Sequence, residues 1–502
     1  MPDITRRTLL LGTAATAGLA TLGLAGCGSP GTAVGASSEA VRAAEAARRP
    51  AGQRVVSARL APKATTVDIG GRSVQTWAYG ENVPGPLLRA RAGDLLRVTV
   101  DNALPAQTSV HWHGLALRND MDGVPGITQE PIRAGGTFQY EFTAPHPGTY
   151  FYHPHSGVQL DRGLYGVLVV DDPSETGRYD AEWVVVLDDW VDGTGQTPDD
   201  VLAKLTAAQA TDDGMGGMGG MDHGGMGGMG GMGEGMQSRL LGGAGDIDYP
   251  HYLVNGRMPS SPVTLTGRPG QRVRLRIVNA GSDTAFRLAL GGHRLTVTHS
   301  DGFPVQPVAA DALLIGMGER FDVLVTLGDG AFPLVASAEG KQGQALAVVR
   351  SGKGAAPPAD VSPAELTRRV LLGTDLTPTD AVRLPNRSVD TSHDLVLGGS
   401  MAPYRWTING KTFADSAPLD VRQGERVRLR FRNMTMMFHP MHLHGHTFGI
   451  AAGGARKDTV IVRPMQTLQV DFQADNPGQW ATHCHNIYHA EAGMMTTLSY
   501  RT

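Results

Sequence analysis

Gly93–Asn102 reads GDLLRVTVDN, which is a turn glycine, a strand of alternating aliphatic and polar residues, and a closing asparagine. The same pattern, with the same internal spacing, recurs in Gly270–Asn279 (GQRVRLRIVN) and in Gly424–Asn433 (GERVRLRFRN). Asn255-Gly256 and Asn409-Gly410 precede the second and third copies at equal distances, so the repeat extends upstream. Copies that lie so far apart in the chain indicate repeated domains and not a solenoid of short repeats.

The rest of the chain also favours a fold built from short strands. Glycine (67 residues) and proline (31 residues) are plentiful, which favours strands and turns over long helices. A chain of 502 residues is too long for one ordinary core. We therefore predict an all-β fold of three Greek-key β-sandwich or barrel domains. Their expected bounds are 52–175, 180–352 and 390–502, with a linker over 353–389.

The N-terminus resembles a bacterial export signal. Residues 5–10 (TRRTLL) form a twin-arginine start, and a weakly hydrophobic run follows. Residues 24–27 (LAGC) resemble a lipobox, so we interpret 1–27 as a signal whose Cys27 is lipidated, and 28–51 as a flexible tether. The alternatives are an uncleaved anchor helix or a signal cut elsewhere. In every case we expect an exported protein, in the periplasm or at the outer face of the cytoplasmic membrane.

The second cysteine lies in His483–Met494 (HCHNIYHAEAGM), a stretch that combines a thiol, three imidazoles and a thioether. A thiolate with two imidazoles and a weak thioether is the ligand set of a blue-copper electron-transfer site. If the stretch begins as a strand, Cys484 points to one face while His483 and His485 point to the other. With Cys27 lipidated, no internal disulfide could form, and a lone thiol in an oxidising compartment should be buried or bound to a metal.

Ten of the 17 histidines fall into four compact motifs, and eight of these form pairs separated by one residue. The pairs are His111/His113, His153/His155, His442/His444 and His483/His485. On a strand, each pair places two imidazoles on one face. Eight nitrogens are too many for one closed tetrahedral zinc and suit about three metal ions. His439 is out of step with the alternation of His442 and His444, and His489 lies beyond the strand that carries Cys484. Both are therefore natural partners of Cys484, with Met494 as the axial ligand.

The four motifs resemble those of the laccase-like multicopper oxidases with three cupredoxin domains. The similarity covers essentially the whole mature chain, and the motif His-Cys-His-x3-His-x4-Met is highly specific. The resemblance implies three cupredoxin-like domains and four copper ions, namely one of type 1, one of type 2 and two of type 3. It also implies that Cys484 passes electrons through His483 and His485 to a three-copper cluster that reduces O2 to water.

The resemblance assigns a ligand set to each copper ion. For the type 1 ion the ligands are His439, Cys484, His489 and Met494. For the type 2 ion they are His111 and His442. For one type 3 ion they are His113, His153 and His485, and for the other they are His155, His444 and His483. Because the cluster draws on motifs from both ends of the chain, we expect it between the first and third domains, with the middle domain as a spacer.

Two carboxylates are candidates for proton transfer. Asp122 matches a family carboxylate near the cluster, but it could equally be a turn residue before Gly123. Many relatives carry a glutamate directly after the histidine that corresponds to His489. Here that position is Ala490 and the carboxylate is Glu491, one residue later, so its role in a proton relay stays open.

A low-complexity insert over 214–236 consists almost entirely of glycine and methionine. One interpretation is a tolerated flexible insertion. The other is a role with copper, because soft thioethers select Cu(I). Together with residues 121–126 (MDGVPG), the insert resembles the copper-resistance and cuprous-oxidase branch of the family.

We therefore expect an exported oxidase with O2 as the electron acceptor. The donor is either Cu(I), in copper tolerance, or a phenol or aromatic amine, as in a general laccase. A non-catalytic copper carrier would leave the eight paired histidines unexplained. The formal net charge of −4 gives no indication of a nucleic-acid partner.

Overall fold

The computed structural model describes residues 31–175, 179–207 and 236–502. The predicted signal over 1–27, with Cys27, lies outside the described residues, as does the Met/Gly insert up to residue 235. Within the described ranges, no helix is both long enough and apolar enough to cross a bilayer.

The prediction of an all-β fold is confirmed, because strands dominate all three parts of the chain. The N-terminal region, residues 55–171, holds strands that form a three-stranded, a four-stranded and a two-stranded sheet. The strands are β1 (Val55–Leu60), β2 (Pro62–Asp68), β3 (Ser73–Tyr79), β4 (Leu88–Arg91), β5 (Leu95–Asp101), β6 (His111–His113), β7 (Thr137–Thr143), β8 (Gly148–His153) and β9 (Gly166–Asp171). The sheet orders are β1-β5-β7, β4-β9-β8-β6 and β2-β3.

The middle region, residues 181–371, contains two six-stranded sheets and a short hairpin. Its strands are β10 (Ala181–Trp190), β11 (Gln237–Ser238), β12 (Gly242–Gly243), β13 (His251–Val254), β14 (Val263–Thr266), β15 (Arg272–Asn279), β16 (Phe286–Leu290), β17 (Leu295–Ser300), β18 (Phe303–Ala310), β19 (Ala312–Ile315), β20 (Arg320–Thr326), β21 (Ala331–Ala338), β22 (Gln344–Arg350) and β23 (Val370–Leu371). The sheet orders are β13-β10-β15-β20-β17-β18, β14-β22-β21-β16-β19-β23 and β11-β12.

The C-terminal region, residues 391–500, contains a six-stranded and a five-stranded sheet. Its strands are β24 (Thr391–Met401), β25 (Tyr404–Ile408), β26 (Leu419–Val421), β27 (Arg426–Asn433), β28 (His439–Leu443), β29 (Phe448–Ile450), β30 (Arg456–Lys457), β31 (Thr459–Val462), β32 (Thr467–Gln473), β33 (Gln479–Cys484) and β34 (Met495–Tyr500). The sheet orders are β25-β24-β27-β32-β29-β30 and β26-β34-β33-β28-β31.

Helices are short and lie between or beside the sheets. The α-helices are α1 (Glu39–Arg48), α2 (Pro198–Ala207) and α3 (Ile487–Glu491). The 3-10 helices are Asn119–Met121, Gln159–Asp161, Ala364–Thr367, Gly373–Asp375, Asp380–Val382 and Phe413–Asp415.

The three regions repeat one topology. The strands that follow the repeat glycines, β5, β15 and β27, each pair in parallel with the first long strand of their region, namely β1, β10 and β24. On the other side they pair antiparallel with β7, β20 and β32. The three glycines, Gly93, Gly270 and Gly424, have φ of +90°, +74° and +89°, which favours glycine in the turn before each strand. The alternating sequence therefore forms the same strand three times, with its apolar face toward the core.

The closing asparagine of each copy is buried and ends the strand in the same way. The Asn433 side-chain amide donates to the backbone carbonyls of Met437 (2.7 Å) and Val462 (3.1 Å), and its carbonyl accepts from the backbone N–H of Thr435 (2.9 Å). Asn102 and Asn279 make corresponding bonds to nearby backbone groups. The asparagine satisfies backbone groups that would otherwise be buried without partners, because the ladder stops there.

The expectation of a flexible tether over 28–51 is wrong for residues 31–51. Helix α1 packs on the N-terminal region, where the buried Glu45 carboxylate accepts from the backbone N–H (2.9 Å) and hydroxyl (2.7 Å) of Thr143. Ahead of the helix, the backbone N–H of Val34 donates to the carbonyl of Tyr500 on β34 (2.9 Å). These hydrogen bonds attach the segment 31–51 to both the N-terminal and the C-terminal regions. The Ala-rich sequence did not indicate this contact.

The predicted linker over 353–389 is also partly structured. Its strand β23 pairs in parallel with β19 and extends a sheet of the middle region. Further along, the carbonyl of Leu376 accepts from the backbone N–H of Ala455 in the C-terminal region (3.0 Å). The linker therefore lies along both regions that it connects.

Candidate metal centre

Strand β33 carries the thiol into the core of the C-terminal region. Cys484 is fully buried, and its Sγ lies 3.6 Å from Nδ1 of His439 and 3.6 Å from Nδ1 of His489. The two Nδ1 atoms are 3.2 Å apart. Met494 is also fully buried, and its carbonyl accepts from the backbone N–H of Cys484 (3.1 Å). We call His439, Cys484, His489 and Met494 the sulfur site.

Helix α3 brings His489 back to the thiol. Asn486 caps this helix, because its side chain accepts from the backbone N–H groups of Tyr488 (3.1 Å) and His489 (3.3 Å). The cap turns the chain directly after β33, so that His489 returns to the face of the strand on which Cys484 lies.

Hydrogen bonds orient both imidazoles of the sulfur site. Nε2 of His489 donates to a carboxylate oxygen of Asp246 (2.9 Å), and Nε2 of His439 donates to the hydroxyl of Thr435 (2.9 Å). Trp406 packs its ring on His489, with the centroids 4.0 Å apart. These contacts leave Nδ1 of each ring facing the sulfur, which is the usual support around a metal-binding histidine.

The four histidine pairs meet at the interface of the N-terminal and C-terminal regions. Strand pairing sets His111 opposite His153, and His442 opposite His483. Across the interface, the rings of His113 and His442 stack with their centroids 3.8 Å apart, and those of His111 and His444 lie 3.9 Å apart. The eight paired residues form what we call the histidine cluster.

Ring nitrogens of the cluster gather into groups small enough for a metal ion. Nε2 of His483 lies 2.9 Å from Nε2 of His444 and 3.4 Å from Nε2 of His155. His111 and His442 form a second group with His444, and His111, His113 and His153 form a third. The ring of His485 lies 4.8 Å from that of His113 and 5.4 Å from that of His153, centroid to centroid. The structure thus places all eight paired histidines in one cluster. Ring nitrogens of His155, His444 and His483 form a close group, whereas His485 belongs to no close group among the described residues.

The cluster presents lone pairs that no other described residue uses. Buried ring nitrogens without a hydrogen-bond partner among the described residues are Nε2 of His111, Nδ1 of His113, Nε2 of His153, Nε2 of His442 and both nitrogens of His485. Leaving so many buried polar atoms unpaired is costly, and native structures rarely tolerate it. A group of metal ions would satisfy them. An all-imidazole cluster beside a thiol site has the donor chemistry that suits copper.

Backbone carbonyls fix which nitrogen faces inward in several of the rings. Nδ1 of His111 donates to the carbonyl of Asp122 (2.9 Å), Nδ1 of His153 to that of Pro154 (2.9 Å), and Nδ1 of His483 to that of Cys484 (2.8 Å). Each bond places the ring proton on Nδ1 and leaves Nε2 free to bind a metal.

Burial disfavours protonation of seven of the eight rings. It lowers the pKa of His483 to about 3, and the neighbouring His442 adds to the effect. Burial also lowers the pKa of the rings of His113, His153, His155, His444 and His485 well below 6.5. In the sulfur site, burial raises the pKa of the Cys484 thiol, so a bound metal would supply the charge that stabilises the thiolate.

Asp122 lies against the cluster and is fully buried. One carboxylate oxygen accepts from Nδ1 of His444 (2.9 Å), and the other lies 3.2 Å from Nδ1 of His111. A turn residue needs no such contacts, so the geometry favours the interpretation of Asp122 as a carboxylate of the site.

Glu491 lies farther out, at the end of α3. It lines a narrow cavity of about 20 Å³ together with Ala490, His155 and His483. That volume suits about one water molecule. Burial raises the pKa of the Glu491 carboxyl.

Asp458 and Arg320 belong to the site, although no sequence spacing indicated them. The fully buried guanidinium of Arg320 donates twice to Asp458 (2.6 Å each), and Asp458 lies 3.2 Å from Nε2 of His113. The Asp458 carbonyl accepts from Nδ1 of His442 (3.0 Å). Arg320 comes from β20, so the middle region does more than separate the other two. Neither residue has a histidine beside it in sequence, which is why the motifs did not reveal them.

Gly318 of the middle region also borders the cluster. Its φ is +82°, and an added Cβ would lie 2.8 Å from Cδ2 of His485 and 3.0 Å from Cε1 of His113. Glycine is therefore the residue that lets the middle region approach the rings.

Histidines outside the motifs stand apart from these groups. Among the described residues, none of His146, His251, His293, His299 and His393 belongs to a potential metal group. His446 is buried and bonds through Nε2 to the hydroxyl of Tyr500 (2.7 Å), which suits a structural role.

Comparison with known proteins agrees with this geometry. Three family models described as multicopper oxidase match residues 62–175, 181–354 and 387–502. The chain is 50% identical to Multicopper oxidase MmcO of Mycobacterium tuberculosis, over 95% of this chain and 94% of that protein. It is 31% identical to the Copper resistance protein A homolog of Pseudomonas syringae pv. tomato, over 86% of this chain and 90% of that protein.

Solved structures share the fold. Fet3p, described as a multicopper oxidase that functions in iron import, matches with a TM-score of 0.73 at 22% identity, over 89% of this chain and 90% of that chain. The prediction of a cupredoxin-like fold is confirmed.

Replacing Asp246 tests the support of the sulfur site. We expect Asp246→Asn to lower copper affinity at this site by about 10- to 100-fold, because the anion that orients His489 is lost. Competition with a chelator, followed by the visible absorption of the copper-loaded protein, measures this. Asp248→Asn, at an exposed position two residues away, is the matched control and should bind copper as the parent does. Equal affinity in both variants would contradict the assignment.

The metal-free protein should lose stability in acid. Because the folded pKa of His483 is about 3 while an unfolded histidine has about 6.5, the unfolded chain binds more protons between these values. Stability is thus fully present above pH ~6.5 and falls as the pH is lowered, by about 1.4 kcal/mol per pH unit for each such histidine. Calorimetric melting temperatures from pH 7 to pH 4 measure the slope.

The pH experiment has its own controls. His485→Gln should make the slope shallower, whereas His393→Gln, outside the cluster, should leave it unchanged. A melting temperature that stays constant over this range would show that the cluster is not held neutral.

Proposed function

The chain belongs to the multicopper oxidase family, and we propose that it couples one-electron oxidation of a donor to the four-electron reduction of O2 to water. Membership makes the protein an oxidoreductase with copper as its cofactor. The observation that carries the proposal is the contact between a thiol site and an eight-histidine cluster through one strand, β33. A copper carrier without catalysis would need the sulfur site alone and would bury eight imidazoles without use.

We propose four copper ions, with one at the sulfur site and three in the histidine cluster. His439, Cys484, His489 and Met494 would hold the type 1 ion. His111 and His442 would hold the type 2 ion. His113, His153 and His485 would hold one type 3 ion, and His155, His444 and His483 the other.

When bound, copper supplies single-electron acceptance at the sulfur site and multi-electron donation to O2 at the cluster. The protein supplies the connection, because Cys484 faces one site while its neighbours His483 and His485 face the other. Asp122 holds the Nδ1 proton of His444 and so keeps Nε2 toward the cluster. Glu491, with its raised pKa and its place on the narrow cavity, is suited to deliver protons from the surface.

For the donor we propose Cu(I). Met434 and Met436 are 52% and 51% exposed, although methionine is usually buried, and Thr435 between them binds Nε2 of the type 1 ligand His439. The chain that leaves the Met/Gly insert reaches the same place, because the backbone N–H of Gly243 donates to the carbonyl of Met436 (2.9 Å). Thioethers are soft ligands that select Cu(I), so this surface suits a cuprous donor in copper tolerance.

We further propose that the protein is exported by the twin-arginine signal over 1–27, is anchored by a lipid at Cys27, and has domains at 52–175, 180–352 and 390–502. The composition of the N-terminus and the repeated strand pattern support these proposals.

The copper-loaded protein should contain about four copper ions, show an intense blue band and consume one O2 for about four donor electrons. Cys484→Ser should remove the blue band and donor oxidation, because a hydroxyl cannot replace the thiolate in a blue-copper site. Cys27→Ser replaces the other cysteine and should keep both properties. Metal analysis, visible spectra and oxygen uptake measure these outcomes. A colourless protein with one zinc ion would overturn the proposal.

The cuprous donor is tested on the exposed methionines. The double change Met434→Gln and Met436→Gln should lower kcat/KM for Cu(I) about tenfold or more, a loss of about 1.4 kcal/mol in transition-state stabilisation. Oxidation of a phenolic donor should stay within about twofold. Leu87→Gln, at a 50% exposed apolar position in the N-terminal region, is the control.

A second variant lacks the Met/Gly insert, residues 214–236, and is assayed with the same cuprous and phenolic donors. A selective loss of cuprous oxidation would assign the insert to the same donor. An equal loss with both donors, or no loss in either variant, would favour a general laccase that oxidises phenols or aromatic amines.

A further inference from the structure

The third copy of the repeat carries an arginine stripe on β27, consisting of Arg426, Arg428, Arg430 and Arg432. Residues two apart share one face of a strand, so the four guanidiniums extend from the face opposite to the buried Val427, Leu429 and Phe431. The metal centre does not use this stripe. Its arginines differ from one another in what they contact.

Two members of the stripe have ordinary partners. Arg428 binds both oxygens of Asp471 (2.7 and 2.8 Å), and Arg430 binds both oxygens of Asp394 (2.6 and 2.7 Å). Both are bidentate hydrogen-bonded ion pairs of the kind that arginine forms with a carboxylate. Each pair joins β27 to a neighbouring strand.

Arg426 is different. The residue is only 4% exposed, its buried Nε has no hydrogen-bond partner, and its guanidinium forms no ion pair with any residue in the described ranges. Its backbone N–H alone is used, donating to Asp390 (2.7 Å). A buried charge without a partner is expensive, so proteins almost always pair it.

Arg426 lines a cavity of about 340 Å³ between β27, the linker and the β29–β30 turn. The linker crosses here, since Leu384 packs over Gly449 and Arg383 reaches Gly453. The other arginines of this wall are Arg383, Arg387, Arg428 and Arg456. Five guanidiniums therefore border one space.

Most of these charges are already balanced. Arg383 binds Asp380 (3.1 Å), Arg387 binds Asp390 (2.6 Å) and Arg428 binds Asp471. Arg456 has no carboxylate partner within the described chain. Its Nε donates to the hydroxyl of Thr447 (2.8 Å), and its guanidinium lies 4.4 Å from the ring centroid of Phe303. No described carboxylate therefore lies within ion-pair distance of the guanidiniums of Arg426 and Arg456, although Asp475 lies in the neighbourhood of Arg456.

The second copy of the repeat provides an internal comparison. There Arg274 binds Asp322 (2.6 Å) and Glu175, and Arg276 reaches Asp322 (3.2 Å) and Glu182 (2.7 Å). These two arginines correspond to Arg428 and Arg430, which are paired in the same way. The position that corresponds to Arg426 is Arg272, whose backbone N–H donates to Asp180 (2.8 Å) as that of Arg426 does to Asp390. Arg272 is exposed to solvent, whereas Arg426 is buried at a cavity, and this burial distinguishes the third copy.

We propose that this cavity binds a divalent oxyanion of the phosphate class, held by the guanidiniums of Arg426 and Arg456. Planar guanidiniums bind such oxygens in pairs, and two unpaired charges match a dianion. The bound anion would link β27 and β30 beneath the linker. A free phosphate ion and a phosphomonoester lipid headgroup offer the same chemistry, and the experiment separates these sources.

The experiment uses the full copper-loaded protein and inorganic phosphate in place of chloride at constant ionic strength. Phosphate should bind in calorimetry and raise the melting temperature. In Arg426→Gln the affinity should fall about tenfold or more, because a charged, two-pronged contact is lost. Arg430→Gln, on the same face but away from the cavity, should change the affinity by less than about twofold.

Further measurements keep the test independent of folding and of oxidase activity. Without phosphate, Arg426→Gln should melt no lower than the parent, since the variant removes an unpaired buried charge. Arg456→Gln is a second variant and should also weaken phosphate binding. In the lipid arm, the protein is sedimented with phosphatidic acid vesicles or with phosphatidylcholine vesicles.

Binding of free phosphate that depends on Arg426 supports a soluble anion. Binding of phosphatidic acid vesicles alone, with the same dependence, supports the lipid headgroup. No binding in either arm, or equal binding by the parent and Arg426→Gln, would overturn the proposal.

Discussion

The alternation of side chains on two neighbouring strands is the constraint on which the metal centre depends. On β33, Cys484 faces the sulfur site and His483 faces the cluster. On β28, His439 and His442 divide between the two sites in the same way, and the register sets His442 opposite His483. A slip of one residue would send every ligand to the wrong face. The sheet therefore fixes the two sites relative to each other, which electron transfer between them requires.

The second requirement is that the imidazoles of the cluster lie together away from bulk water. Backbone carbonyls hold the outer nitrogen of several rings, and each bond fixes a tautomer. The Arg320–Asp458 pair closes the remaining side of His113 and His442. Because Arg320 comes from the middle region, the cluster is complete only when all three regions pack together. The described part of the middle region adds no histidine to the cluster, but it contributes to the electrostatics of the cluster through Arg320.

The sequence sufficed to predict the features that follow a local rule. Strand period, turn glycines and the His-Cys-His spacing predicted the β fold and the groups of ring nitrogens around Cys484. It could not reveal contacts made across regions, such as those of Asp246, Asp458 and Arg320, since each stands alone in the chain. The docked helix α1 was also missed, because an Ala- and Arg-rich segment resembles a tether until its partner Thr143 is known.

The repeat itself shows where the copies are free to diverge. Its closing asparagines face inward and make corresponding bonds in all three copies, because every copy must end its strand in a buried place. Its arginines face outward, where the neighbouring segment differs from copy to copy. In the second copy the first arginine, Arg272, is exposed to solvent, whereas in the third copy Arg426 is buried beneath the linker without a carboxylate partner. On β27, Arg428 and Arg430 each have a carboxylate partner, whereas the buried Arg426 has none. Such a local exception to the pairing of charges indicates function more strongly than composition does.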